Sequence, residues 1–410
     1  MTDMNSSLIT GSRDRAGNDP IFIWNGEARA RAGAGEDILN ATIGALMTDE
    51  GTLCSMPTVI ETLVRLQVGS TGGYAPIAGL PAYREAVVHD LFADGPLASQ
   101  AVAVATPGGT GAVYAAVVNF LDVGQKMLVP SFFWGPYREI TNHSGRGLDP
   151  FPMFRADGAF DVEGLAAGLD RHLATQGRAL VVLNFPCHNP TGYSLSAEEW
   201  QSITEVIQRA GERGPVTVLL DAAYMEFAGS NSRGWVDWVP GLMRNATVLV
   251  AWTASKSMAQ YGARTGAIVA LQQDPDELTQ LGNALAYTAR STWSNCNHLG
   301  QLAVAELLTN PELAKRVGTE RAGLMTLLQT RIDAFNERAG EAGLPTPRFD
   351  AGFFVAVFTK DQDATAAVMR EHGVYVVPIP GAVRVAICST PAAAMPRLVA
   401  ALEAGLAAVV

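Results

Sequence analysis

Six short apolar runs recur between Ala101 and Leu271: AVAVAT (101–106), KMLVP (126–130), ALVVLN (179–184), VTVLLD (216–221), ATVLVA (246–251) and GAIVAL (266–271). Each is nearly continuous where a half-solvated strand would alternate, as parallel strands covered on both faces require. Helical patterns lie between them. The clearest opens on an S-x-x-E capping box, Ser196 and Glu199, after which Trp200, Ile203, Val206 and Ile207 make one apolar stripe. This alternation predicts an α/β fold with a mostly parallel sheet flanked by helices. From Gly300 the texture changes to long helix (LAVAELL, then GLMTLLQTRIDAFNERAG). Extended segments follow at GFFVAVF (352–358) and AVRVAIC (382–388), with a last helix from Pro391. That pattern predicts a smaller α+β domain, while residues 1–20 read as a flexible arm.

Length and composition narrow the function classes. A chain of 410 residues exceeds one small core and fits two or three domains, at roughly 150 residues each. With 48% apolar and 17% charged residues it is not globally disordered. Its 40 acidic and 29 basic residues leave a net charge of −11, against broad binding of nucleic acid or anionic membrane. The cysteines Cys54, Cys187, Cys296 and Cys388 are far apart, as buried free thiols are, and no histidine pair has metal-ligand spacing, so no metal is expected. The N-terminus lacks a signal-peptide core, and no apolar run approaches the ~18 residues of a membrane span. A soluble, cytoplasmic protein is the expectation.

Open parallel sheets bind ligands at the carboxyl ends of their strands. The first run ends in Thr106-Pro107-Gly108-Gly109-Thr110-Gly111 before an apolar helical stretch. That is either a plain tight turn or an anion site made by free N–H groups. The third ends in Asn184 to Gly192, with Asn189-Pro190-Thr191-Gly192, which is ordinary turn material as well. The fourth ends at Asp221, with Tyr224 three residues on; alone, such an acid is commonly a helix cap. The fifth leads into Thr253-Ala254-Ser255-Lys256 and then Arg264. A lone lysine is usually a solvated charge. The chain has only four, however (Lys126, Lys256, Lys315, Lys360), and Lys256 alone follows a strand among small residues.

Together these residues fit one cofactor. Pyridoxal phosphate needs a Schiff-base lysine, an acid facing its ring nitrogen and a phosphate cup. Lys256 and Asp221 supply the first two. Asn189 and Tyr224 could donate to the ring oxygen, and Gly109, Thr110, Thr253 and Arg264 could hold the phosphate.

The chain resembles fold-type I aminotransferases of class I/II, nearest to the aspartate and aromatic amino-acid branch. The matching motifs are N-P-T-G (189–192), D-x-A-Y (221–224), T-A-S-K with Y-G-A-R-T-G (253–266), Y-A-P-I-A-G-L-P-A-Y-R-E-A (74–86) and a late arginine, Arg384. They stand in the family's order from about residue 20 onward. The resemblance implies a large cofactor domain over 53–299, and a small domain built from 21–52 and 300–410. It implies that Lys256 carries the cofactor and shuttles the proton, and that Trp134, from the Phe132-Phe133-Trp134 stretch, stacks on its ring. Arg384 with Asn189 would grip the substrate α-carboxylate, a bidentate task suited to guanidinium. Gly44 would let the backbone approach the substrate. Tyr74 would reach the phosphate of a neighbouring subunit, which requires a homodimer with shared sites. Arg290 resembles the arginine that pairs with a distal carboxylate, although Cys296-Asn297-His298 departs from the family pattern; a surface ion pair is its other use. The implied reaction is ping-pong amino transfer from an aromatic or aspartate-like L-amino acid to a 2-oxoacid such as 2-oxoglutarate. A lyase with the same cofactor (C–S lyase or aminocyclopropane-carboxylate synthase type) is the alternative, and a cofactor-sensing regulator ranks below both.

Overall fold

The computed structural model describes residues 7–13, 15, 17, 20–69 and 72–409. Part of the arm expected over 1–20 (1–6, 14, 16, 18 and 19) therefore lies outside the described residues. The centre of the molecule is a seven-stranded sheet: β1 (Ala101–Pro107), β2 (Lys126–Pro130), β3 (Gly147–Phe151), β4 (Ala179–Leu183), β5 (Val216–Asp221), β6 (Thr247–Thr253) and β7 (Thr265–Leu271). Across the sheet the order is β1-β7-β6-β5-β4-β2-β3. β7 runs antiparallel to both its neighbours, and every other pair is parallel.

The apolar pattern predicts six of these strands and misses β3. GLDPF offers little apolar surface because β3 is the sheet edge, half-exposed along most of its length, where a proline such as Pro150 is tolerated. The direction of β7 is also invisible to the pattern, since all its residues are buried on both faces like those of a parallel strand. Within β4, Val181 and Leu183 enter the core on one face of the sheet while Leu180 and Val182 enter the core on the other. Each such side chain contributes about 1.5–3 kcal/mol by burial. The helix Ala197–Gly211 starts as its sequence predicts. Ser196 Oγ accepts from the Glu199 N–H at 3.2 Å, Glu199 Oε2 accepts from the Ser196 N–H at 2.7 Å, and Trp200, Ile203, Val206 and Ile207 are buried.

A second core holds strands Phe354–Phe358 and Ala382–Ala386 with helices Gln362–Glu371 and Met395–Ala407. Leu39 and Asn40 join it by pairing in parallel with Val374 and Tyr375. The long helical pattern after residue 300 divides at Asn310-Pro311 into His298–Thr309 and the 31-residue helix Pro311–Glu341, capped by the Asn310 side chain. Val317 of that helix packs on the main core, and Leu328, Ile332 and Phe335 on the second. The change of core thus falls inside one continuous helix. The final helix begins at Met395, after a 3-10 turn at Ala392–Ala394, and not at Pro391. All four cysteines are free and buried. Among the described residues no helix is long and apolar enough to cross a membrane.

Candidate active site

The carboxyl ends of β1, β5 and β6 meet along one edge of the sheet, and β7 brings its beginning there because it is antiparallel. Thr106 and Thr253 both pair with Gly266, and Pro107 with Thr265. This explains why Lys256 follows its strand while Arg264 precedes one. Gly109, Thr110, Trp134, Asn189, Asp221, Tyr224, Thr253, Lys256 and Arg264 all line one cleft there.

At the end of β5, Asp221 is buried and receives two hydrogen bonds, from Tyr137 Oη at 2.6 Å and from the Ala223 N–H at 3.2 Å. Burial pushes its carboxyl above the usual range, against the pull of Tyr137 and Lys256. Asn184 Nδ2 donates to the Asp221 carbonyl at 2.8 Å, and Asn184 Oδ1 accepts from the Asn189 N–H at 2.8 Å. One side chain therefore ties β5 to the Asn189 loop. Asn189 Nδ2 stands 3.4 Å from Tyr224 Oη, and both side chains are buried.

After β6 the chain makes a single helical turn, Ala254–Ser257, capped by Thr253, whose Oγ1 accepts from the Ser255 N–H at 3.2 Å. Lys256 sits on that turn with Nζ 5.2 Å from the centre of the Tyr224 ring. Burial holds its amine at about 8, with Asp221 opposing and Arg264 adding to the shift. Near neutral pH such a lysine both accepts and returns protons, as a general acid–base must.

The candidate anion cup is equally explicit. Among the described residues no side chain caps the helix Gly108–Phe120, which leaves its first N–H groups available. Arg264 Nη2 donates to the Pro107 carbonyl at 3.2 Å, and Nη1 reaches Ser255 Oγ at 3.4 Å. Gly108 has φ +70°, and a Cβ there would collide with the Arg264 guanidinium. Only glycine lets arginine and helix start approach this closely.

Arg384 is buried beside this cleft, on the wall of a second one that shares Asn189 and Trp134. Its Nη2 donates to the Thr42 carbonyl at 2.8 Å, and its guanidinium lies 4.4 Å from the centre of the Phe354 ring. A Cβ on Gly44 would come within 2.7 Å of Phe354 Cζ, so Gly44 belongs to the same neighbourhood. Of the three neighbouring aromatics only Trp134 lines the first cleft, edge-on to Tyr137; Phe132 packs on Phe154 and Phe358. Two expected residues are not gathered by this chain. Tyr74 is 91% exposed, and Arg290 is exposed with Nη1 donating to Ser294 Oγ at 2.7 Å. Sequence reasoning missed Tyr137, Asn184 and Ser255. Ser255 stood inside the quoted T-A-S-K motif and Asn184 at the end of the third apolar run, whereas nothing local marks Tyr137.

Residues 36–402 match the family described as aminotransferase class I and II. The chain belongs to that family. This aminotransferase is 30% identical over 289 residues to the aromatic-amino-acid aminotransferase of Pseudomonas aeruginosa, covering 68% of this chain and 70% of the relative. Its fold matches an aminotransferase crystal structure from Anaerococcus prevotii with a TM-score of 0.92 and 31% identity, over 97% of this chain and 98% of the other. It also matches an aromatic-amino-acid aminotransferase from Burkholderia pseudomallei, covalently bound to pyridoxal phosphate. There the TM-score is 0.80 and the identity 25%, over 97% of this chain and 100% of the other. The family is pyridoxal-phosphate dependent. The cleft fits that group chemically: a lysine of lowered pKa, a buried carboxylate, and an arginine with hydroxyls at an uncapped helix start.

Proposed function

We propose that this aminotransferase moves amino groups between large apolar or aromatic L-amino acids and a 2-oxoacid such as 2-oxoglutarate, with Lys256 as its cofactor lysine and proton carrier. The observation that carries the reading is the convergence of Lys256, Asp221 and Tyr224 in one cleft beside the Arg264 cup. When bound, pyridoxal phosphate supplies an electron sink that makes a substrate Cα–H acidic. Asp221, which accepts from Tyr137 and the Ala223 N–H, would face the ring nitrogen and keep it protonated. Asn189 and Tyr224 would donate to the ring oxygen, Trp134 would stack on the ring, and Gly109, Thr110, Thr253, Ser255 and Arg264 would hold the phosphate. Lys256 Nζ would be the group that takes up the substrate Cα proton and holds it within the cleft for return. Arg384, braced by Thr42 and Phe354, and Asn189 orient the α-carboxylate, with Gly44 leaving room for it.

The second cleft supports the donor class. Beside Arg138 and Glu139, its lining includes Phe132, Phe133, Val377, Pro378 and Ile379, an apolar surface that suits an aromatic or long apolar side chain. Arg290 would serve the distal carboxylate of a dicarboxylate in the site of a second copy. A homodimer with shared sites is part of the reading. The helix Pro57–Gly69 turns Ile60, Val64 and Val68 outward at helical spacing, and Tyr74 is free to reach a neighbour. We assign residues 21–52 and 300–410 to the small domain, 53–299 to the large one, and the enzyme to the cytoplasm.

The test is a single half-reaction. Cofactor-loaded protein is mixed with phenylalanine, tyrosine or aspartate, without an acceptor, and its visible absorption is followed. The reading predicts bleaching with one 2-oxoacid released per site, fastest for the aromatic donors. Sustained release of ammonia without an acceptor would mark a lyase instead.

A further inference from the structure

We propose that Arg321 and Glu226 are positioning residues for Lys256, closing a ring of hydrogen bonds that begins and ends on the short segment carrying that lysine. The proposal rests on the reading of Lys256 as the cofactor lysine.

The ring starts at Trp252 in β6, whose Nε1 donates to Asp90 Oδ2 at 2.8 Å. Asp90 lies on the helix Pro81–Phe92 and accepts from Arg233 Nη2, through its carbonyl at 3.2 Å and Oδ1 at 3.4 Å. The same Arg233 nitrogen donates to Glu226 Oε1 at 2.6 Å, and Glu226 Oε2 accepts from Arg321 Nη1 at 2.8 Å. Arg321 Nε then donates to the Ser257 carbonyl at 2.9 Å, one residue beyond Lys256. Both ends of the 252–257 segment are thus pinned by one closed circuit.

Three features separate the circuit from surface ion pairing. Its carboxylates and Arg321 are largely withdrawn from water, with side chains 12% exposed at Glu226, 16% at Asp90 and 17% at Arg321. Two carboxylates face two guanidiniums, so the buried charges balance and each acid has a partner. The members also come from separate elements: Arg321 from the helix Pro311–Glu341, and Glu226 from the 3-10 turn Met225–Phe227 directly after Tyr224. Arg321 therefore fixes the Lys256 turn and the Tyr224 turn to each other through one side chain. Guanidinium suits this because it donates in two directions at once and stays charged. Without it the Ser257 carbonyl loses its donor and Glu226 keeps only Arg233. The lysine turn then shifts against Asp221, Tyr224, Arg264 and Cys388, the groups that surround the amine.

The experiment compares cofactor-loaded wild type with Arg321→Gln, Arg321→Lys, Glu226→Asp and a control, Leu328→Ala, on the same helix in the second core. The readouts are kcat, KM and the pH midpoint of the bound cofactor's visible absorption. Arg321→Gln should lower kcat about 10- to 100-fold, the scale of a misplaced catalytic group, with KM within a few-fold. Its midpoint should move by about half a pH unit or more. Arg321→Lys, keeping charge and one donor direction, should recover part of both. Leu328→Ala should lose thermal stability with the midpoint unmoved. A wild-type midpoint and kcat in Arg321→Gln overturn the proposal, as does an equal midpoint shift in Leu328→Ala. If Arg321→Gln does not fold, Arg321→Lys and Glu226→Asp should each move the midpoint, and two unmoved midpoints overturn it. Failure of the underlying functional reading is distinct: wild type itself would then hold no cofactor on Lys256.

Discussion

Lys256 is one of four lysines, and its surroundings make it unlike the rest. Burial lowers its amine from the ordinary 10.5 to about 8. The shift has a stability consequence whose sign is fixed. Between about pH 8 and 10.5 the unfolded chain holds a proton there that the folded, cofactor-free protein does not. Stability therefore rises with pH across that window, by about 1.4 kcal/mol per unit from this group, and the slope vanishes below it, where both states are protonated. Lys256→Met should remove this slope in denaturant titrations of cofactor-free protein at pH 8 and pH 10. An unchanged slope would place the perturbed group elsewhere. Much of this was legible in the sequence, because scarcity and strand-end position single out Lys256. The partners that tune the site were not. Tyr137 and Asn184 act on Asp221 and Asn189 from 84 and 5 residues away in sequence, through buried contacts that only folding creates.

At the scale of elements, the site depends on where strands stop. The continuous apolar runs predicted β1, β2 and β4 to β7, since strands buried on both faces leave no polar position to disguise them. They could not give the direction of β7, which brings Arg264 to the same edge as Lys256, nor the edge strand β3. The tightest junction is Gly108 against Arg264. Gly108→Ala forces a side chain into positive φ and into the guanidinium, at about 1–2 kcal/mol for the backbone alone. Thermal unfolding should register that loss. Cofactor affinity should fall about tenfold or more as Arg264 is displaced from the cup. Wild-type affinity in this variant would mean that Arg264 does not hold the phosphate.

For the whole molecule, the helix Pro311–Glu341 links the two cores, and Arg331 repeats in the second what Arg321 does in the first. Fully buried, Arg331 donates to the carbonyls of Cys388 at 2.6 Å and Met47 at 2.8 Å. One rigid element thus reaches both the lysine turn and the chain that follows Arg384. The outward stripe of Ile60, Val64 and Val68 carries the prediction at this scale. The proposed homodimer predicts that Val64→Asp shifts the protein from dimer to monomer in sedimentation velocity and lowers cofactor retention, because Tyr74 would then have no second site to serve. An unchanged dimer would move the interface elsewhere. The central claim is that Lys256 bears the cofactor, and one measurement meets it directly. Pyridoxal phosphate is bound to the protein, fixed by borohydride reduction, and located by mass mapping of peptides. The account predicts a single modification, on Lys256, absent from Lys256→Ala; a stoichiometric adduct on Lys126, Lys315 or Lys360, or none, would contradict it.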